Sequence, residues 1–444
     1  MKQTIQLSDH FGYSKLIRFT ISSICMMVFV SIYGVVDGFF VSNIVGKSAF
    51  AAVNFIMPFL MVVGSLGFMF GTGGSALIAK TMGEGHIDKA RKIFSLIVWA
   101  TLICGIVIAI ISIIIIRPIT SMLGADAEMM ENCIAYGRIY LCGLPFLMLQ
   151  YAFSSLVVAA ERPRLGLAVT IISGVTNMIC DALFMAVFGW GIKGAAFASA
   201  LGQDIGGLIP LIYFIKPNNS KLRLVRPKWH PEALLKVCIN GSSELMSNIS
   251  VSVVSMLYNL QLMKYAGSNG VAAYGTIMYV SFIFVAIFMG YTMGVSPVIS
   301  FHYGAHNIDE LKGLMRKSFT LIIGSSVVMF VISNFFAEPL VAIFVGYDAD
   351  LLKMTTHALA VYGISFLFMG VSIFGSGFFT ALNDGLTSAL ISFLRTLLFE
   401  GAAVLIMPIF FGIEGVWYAV VVAEGIAILL TIFFLLFKRK KYGY

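Results

Sequence analysis

The chain has 444 residues, 59% of them hydrophobic and only 11% charged, with a formal net charge of +8. So few charges cannot keep the surface of a soluble protein of this size wetted, so an ordinary soluble globular protein is excluded and lipid must be the solvent for most of the chain. The six cysteines (Cys25, Cys104, Cys133, Cys142, Cys180 and Cys238) show no CxxC spacing and mostly lie in apolar runs, where they act as small hydrophobes rather than as a disulfide framework or metal site.

Lys2, Lys15 and Arg18 precede the first apolar run, which is long and has no cleavage pattern after it, so an uncleaved first helix is expected. A helix needs about 20 apolar residues to cross the hydrocarbon. Twelve such runs follow in order: Phe19–Ser42, Ala51–Ala79, Phe94–Ile116, Ile134–Ala160, Leu165–Phe188 and Gly191–Ile215, then Leu234–Met263, Val271–Phe301, Leu314–Ala337, Thr355–Ala381, Leu386–Phe411 and Gly415–Phe437. Placing the N-terminus inside puts 22 of the 29 basic residues on the inner side, so both termini are expected in the cytoplasm of a multi-pass cell-membrane protein. Lys47, Arg117, Arg138, Lys193, Lys264 and Lys353 fall outside, and Arg395 lies within a span. The positive charge is thus a topology signal that requires no nucleic acid. The tail Lys438-Arg439-Lys440-Lys441 reads as an anchor to membrane lipids.

The longest inner linker, near Lys216–His230, separates two sets of six spans. It predicts an N-terminal lobe over residues 1–220, with linker to about 230, and a C-terminal lobe over 231–444. The halves match at a constant offset of 221. Gly46 falls on Gly267, Gly73 on Gly294, Gly83-Ile87-Asp88 on Gly304-Ile308-Asp309, and Gly191-Ile192-Gly194 on Gly412-Ile413-Gly415. An even number of spans per copy makes the repeats parallel. The expected fold is all-α, two six-helix bundles related by a pseudo-twofold axis along the membrane normal, an architecture of transporters with the substrate site between the halves.

A carboxylate at the bilayer centre costs at least about 2.5–3.5 kcal/mol on insertion scales, so each acid within a span needs a reason. Asp37, Asp181, Asp204, Glu244, Glu400 and Glu424 all fall there. Asn177 and Asp181 share one helix face at i, i+4. With Asp37 they form either a pocket that loads a proton or a cation, or a structural polar cluster. Their repeat partners are Tyr258 and Ala402, so this acidic site is expected in the first half only. Glu244, after Gly241-Ser242-Ser243, is a candidate ion or substrate carboxylate, or a solvated group near the inner mouth. Arg395 precedes Glu400 by five residues in one helix, and a local or interhelical ion pair is expected there more than a substrate contact; Asp204 and Glu424 suggest packing or cavity-lining groups. His302 and His306 have metal-pair spacing but no third ligand, and a solvated loop is expected there. Pro58, Pro145, Pro210, Pro297 and Pro408 are candidate kinks. Met and Phe suit a cavity for varied lipophilic cations, but their abundance is accounted for first by lipid-facing helices. No HExxH, GxSxG, GxGD or P-loop motif occurs, which argues against an embedded enzyme or a built-in ATPase.

The run YGVVDGFFVS from Tyr33, the run Gly71-Thr72-Gly73-Gly74-Ser75-Ala76 leading to Gly83 and Asp88, and Asn177 to Asp181 followed by FGWGIKGAA from Phe188 together resemble the multidrug and toxic compound extrusion (MATE) family, most of all its MepA-like bacterial members. The resemblance implies two lobes around a central cavity and export of small lipophilic or cationic compounds, driven by H⁺ or Na⁺ with no other cofactor. It implies an ion-coupling cluster at Asp37, Asn177 and Asp181, with Tyr33, Tyr136 and Ser199 as neighbouring hydrogen-bonding groups. Asp37, Asp181 and Glu244 are the candidate substrate-binding acids. Ser22 stands near where many members carry a first-helix proline, and helix ten lacks the acid found in some Na⁺-coupled members. A lipid-linked saccharide flippase of the same superfamily is the alternative, expected to show a more basic cavity. The two-lobe design permits a monomer.

Overall fold

The computed structural model describes residues 5–122, 125 and 127–444; Lys2 and the side chains of Ser42 and Lys47 lie outside the described residues. Among the described residues the chain is helical without a strand. The first half comprises α1 (Tyr13–Phe40), α2 (Lys47–Gly83), α3 (Ile87–Met122), α4 (Ala127–Cys142), α5 (Leu144–Ala159), α6 (Pro163–Asp181) and α7 (Gly191–Ile215). The second comprises α8 (Pro231–Gly304), α9 (Ile308–Phe335), α10 (Ala337–Val345), α11 (Ala349–Gly363), α12 (Phe366–Ala381), α13 (Gly385–Phe393), α14 (Gly401–Phe411) and α15 (Ile413–Tyr442). Among the described residues three π-helical turns interrupt them, at Val41–Val45, Ala182–Val187 and Leu394–Glu400.

Among the described residues nine helices are long and apolar enough to cross a bilayer. One of these, α8, is two crossings, broken at Gly267 where φ is +61°. Two further crossings are bent pairs, α4 with α5 at 58° and α11 with α12 at 48°. The total is twelve spans, as the hydropathy runs require. The bends are a detail that the apolar runs Ile134–Ala160 and Thr355–Ala381 do not announce. Pro145 opens α5, where its missing N–H and fixed φ end the preceding helix. The second bend has Phe366 at the equivalent place. There Gly363 lets α11 press on α9: a Cβ on it would lie 2.1 Å from the Ser333 hydroxyl.

The duplication is visible in the backbone. Positive φ occurs at Gly46 and Gly267, at Gly85 and His306, and at Gly191 and Gly412, each pair 221 residues apart. The lobes also touch reciprocally. A Cβ on Gly83 would sit 2.1 Å from the Phe301 carbonyl oxygen, and one on Gly304 would sit 2.2 Å from that of Lys80, the same contact after the exchange of halves. Gly73 meets Gly241, and Gly294 meets Thr20, in the same exchanged relation. An interface in which i touches j and the copies of j and i touch again is the signature of a twofold axis. Glycine is needed at these sites because two backbones meet where a side chain would begin. All of these approaches lie in the end of the bundle where α1 and α8 begin and α2 finishes. Farther along, a side chain on Gly34 of α1 or Gly275 of α8 would meet nothing within 4 Å.

Both chain ends pack on that same end. Leu7 N donates to Glu161 Oε1 (2.9 Å) in the first lobe, and Phe11 N donates to Glu310 Oε1 (2.8 Å) in the second, so residues 7–11 strap the lobes together. Lys221 joins Glu161 at 3.0 Å. At the other terminus Lys438 Nζ and the Tyr442 hydroxyl hold Asp384 Oδ2 at 2.6 and 2.7 Å.

Two predictions follow from the packing. Gly83→Val should cost about 1–3 kcal/mol by overpacking, seen as a lower melting temperature in detergent, whereas Gly425→Ala, with open space around it, should be neutral or stabilising by about 0.5–1 kcal/mol. Burial alone would raise the Asp384 proton affinity, but bonds from Lys438, Tyr442 and Thr387 outweigh it and hold the carboxyl below its usual value of 3.8. A depressed folded value means that this latch is fully present above that pH and is lost as the pH falls through the lower, folded one. Hydrogen–deuterium exchange over residues 438–444, corrected for the intrinsic pH dependence of exchange, should therefore lose protection in acid for the wild type and already at neutral pH in Asp384→Asn.

Candidate functional site

The site is built on α6. Ser173, Asn177 and Asp181 recur every four residues and so line one face, all three buried. That face meets α7 at Gly202: the Ser173 hydroxyl donates to the Gly202 carbonyl (2.7 Å), and a Cβ on Gly202 would fall 3.1 Å from that of Asn177. The Gln150 amide of α5 donates to Ser173 Oγ (3.1 Å), so a polar chain ties three helices below the acids.

Asp37 of α1 is turned towards Asp181, close enough for each carboxyl to act on the other. Tyr136 of α4 is fully buried, beside Ser199 of α7 and both carboxyls, with Tyr140 stacked on it at 5.8 Å. Tyr33 packs on α6: its ring would lie 3.2 Å from a Cβ on Gly174. The six residues expected to form the cluster are therefore brought together. Among the described residues Asp37 Oδ1, both oxygens of Asp181, Asn177 Oδ1 and the Tyr136 hydroxyl are buried with no close hydrogen-bond partner. Buried polar groups are normally satisfied, and an isolated carboxylate out of water is costly, so this pocket is suited to take a proton or a monovalent cation. Asp37 and Asp181 each precede a π-helical turn, at Val41–Val45 and Ala182–Val187, and such turns concentrate at functional sites.

Glu244 is not part of this pair. It lies in α8, one turn past Gly241, where a Cβ would meet the Met69 carbonyl of α2 at 1.9 Å, and no ion pair reaches it among the described residues. Of the local and interhelical ion pairs expected here, Arg395 forms the interhelical one: its partner is Glu424 of α15, at 2.7 Å, rather than Glu400. His302 departs from the expected solvated loop. It is 3% exposed, under the strap formed by the N-terminal segment, while His306 takes a left-handed turn outside. Tyr140 and Tyr151 join the acidic pocket without having been singled out by sequence; buried phenols two helical turns or more from an acid carry no spacing signal.

Two six-helix lobes on a pseudo-twofold axis, with a pair of acids in one lobe that no base faces among the described residues, define a polytopic membrane protein of the transporter class. The chain belongs to the MatE family, whose model matches residues 22–183 and 245–401. Among curated proteins it is similar to the multidrug export protein MepA of Staphylococcus saprophyticus (25% identical over 411 residues, 90% of this chain and 88% of the relative) and of Staphylococcus aureus strain MSSA476 (24% over 409 residues, with the same coverage). Among solved structures it resembles an outward-facing multidrug resistance MATE transporter of the MOP superfamily (TM-score 0.92, 20% identity, 100% of this chain and 98% of the other). It equally resembles a MOP superfamily transporter from Pyrococcus furiosus (TM-score 0.92, 20% identity, 100% and 99%).

Asp181→Asn removes a buried, unpartnered carboxyl at constant shape. Its melting temperature should equal or exceed that of the wild type; a fall of several degrees would show Asp181 to be a structural hydrogen-bonding group instead.

Proposed function

We propose that the protein exports small lipophilic organic cations in exchange for H⁺ or Na⁺, by alternating access between a first lobe over residues 1–220 and a second over residues 231–444. The observation that carries this reading is the Asp37–Asp181 pair, set beside Asn177 with no basic partner among the described residues. A site that can hold either a proton or a cation, but pays for standing empty and charged, couples the two. Relatives that carry the name multidrug export protein support the substrate class.

In this mechanism the protein open away from its termini binds the ion at Asp37 and Asp181. Neutralising the pair alters the packing of α1 on α6 and lowers affinity for the organic cation, which leaves. The lobes then rock about the glycine contacts, the ion is released on the terminal side, and a new organic cation binds. The basic segments support termini in the cytoplasm, and with that orientation the lobes closed at that end give an outward-open state. The functional unit is a monomer, since one chain supplies both lobes.

Ethidium efflux from cells tests this directly. Asp37→Asn and Asp181→Asn, at matched expression, should export no faster than cells lacking the protein, and collapse of the proton gradient should stop the wild type. Export that needs Na⁺ alone would keep the site and change the ion. Wild-type cells without export, or variants as active as wild type, would refute the reading and favour a flippase.

A further inference from the structure

The second lobe carries an acidic cluster of its own. Arg395 and Glu400 sit on the π-helical turn Leu394–Glu400, and Arg395 is committed to α15: its Nε and Nη2 reach Glu424 Oε1 at 2.8 and 2.7 Å. Glu424 is 2% exposed, and among the described residues its second oxygen has no hydrogen-bond partner. Across from it, on α8, the Tyr258 hydroxyl is 1% exposed and has Glu400 as its one neighbouring polar group that could bond it among the described residues. Glu400 faces Tyr258, Arg395 and Glu424. Tyr274, stacked on Tyr258 at 4.6 Å, and Tyr362 of α11 complete the surroundings. Among the described residues Arg395 is the basic group acting on this cluster, and no ion pair reaches Glu400.

The charges then decide the ligand. Arg395 and Glu424 cancel, and Glu400 leaves one net negative charge in the membrane interior. A metal cation would sit against the Arg395 guanidinium, and no group of three ligating side chains is present among the described residues. A proton meets every requirement. On Glu400 it neutralises the cluster, supplies a donor for the orphaned Glu424 oxygen, and leaves a carbonyl oxygen to accept from Tyr258. Tyr258 is the repeat partner of Asp37, so the cluster stands in the second lobe where the first lobe has its acids.

We propose that Glu400 is a second proton-carrying group, so that protons bind in both lobes. The step is one O–H bond formed on the Glu400 carboxylate by a proton from one side of the membrane and broken to the other side. Its place in the transport cycle rests on the exchange reading above; proton binding itself does not.

The test uses purified full-length protein. Infrared difference spectra between acid and alkaline pH should contain a carboxylic-acid band that Glu400→Gln loses and that Asp37→Asn and Asp181→Asn retain. Tyr258→Phe, which keeps the carboxyl but removes a hydrogen bond, should shift that band, and decides the matter should Glu400→Gln fail to fold. In weakly buffered solution ethidium should release one proton fewer from Glu400→Gln than from wild type. Spectra of Glu400→Gln identical to wild type, or of Tyr258→Phe unshifted, overturn the proposal. A wild type that does not bind ethidium would refute the transport reading, while the infrared band still decides Glu400.

Discussion

The structure is organised around two carboxyl groups, Asp37 and Asp181, held largely out of water with no basic partner among the described residues. In a medium of low dielectric constant a carboxylate is tolerable only when something neutralises it. Asp37 and Asp181 oppose each other across two helices, and the walls around them are tyrosines and an amide rather than bases. That arrangement has two states, occupied and charged, of very different energy. A molecule whose internal energy depends on occupancy can drive a conformational change only if the occupied and empty forms pack differently. The π-helical turns beside both acids supply places where the packing of α1 and α6 can change by a residue without unfolding a helix.

The rest of the fold permits that change. The lobes meet through backbone rather than interdigitated side chains: Gly73, Gly83, Gly241 and Gly304 bring helices together where no side chain intervenes. Such a contact is close, repeated by symmetry, and poor in side chains that would have to repack. The strap over residues 7–11 and the Asp384 latch add polar ties at the same end. The carboxylates of these ties are largely buried, Glu161 and Glu310 at 8% exposed, so each carries a desolvation cost of several kcal/mol unless its partners stay in place. The closed end is thus held by backbone contacts together with a few buried polar ties.

Much of this was legible in the sequence. Hydropathy runs give twelve spans because each crossing must be apolar over a fixed length, and the constant offset of 221 gives the twofold because paired glycines and loop residues tolerate no drift. Membrane-embedded acids stand out for the same energetic reason. Other features were hidden. A π turn adds one residue without disturbing an apolar run, so its position leaves no trace. The bend at Gly363 has no proline to mark it. Arg395 chose Glu424 over Glu400, 5 residues along its own helix, because the partner is set by how α15 packs on the Leu394–Glu400 turn. His302 looks like a loop residue until the N-terminal strap is seen to cover it.

The central claim is that ion and organic cation compete through the Asp37–Asp181 pair. Equilibrium binding of ethidium to purified protein, across a range of pH at fixed Na⁺ and across Na⁺ at fixed pH, tests it most directly. The account predicts that affinity falls as one of the two ions rises, and that Asp181→Asn flattens this dependence. Ethidium affinity in the wild type that is indifferent to both H⁺ and Na⁺ would contradict it.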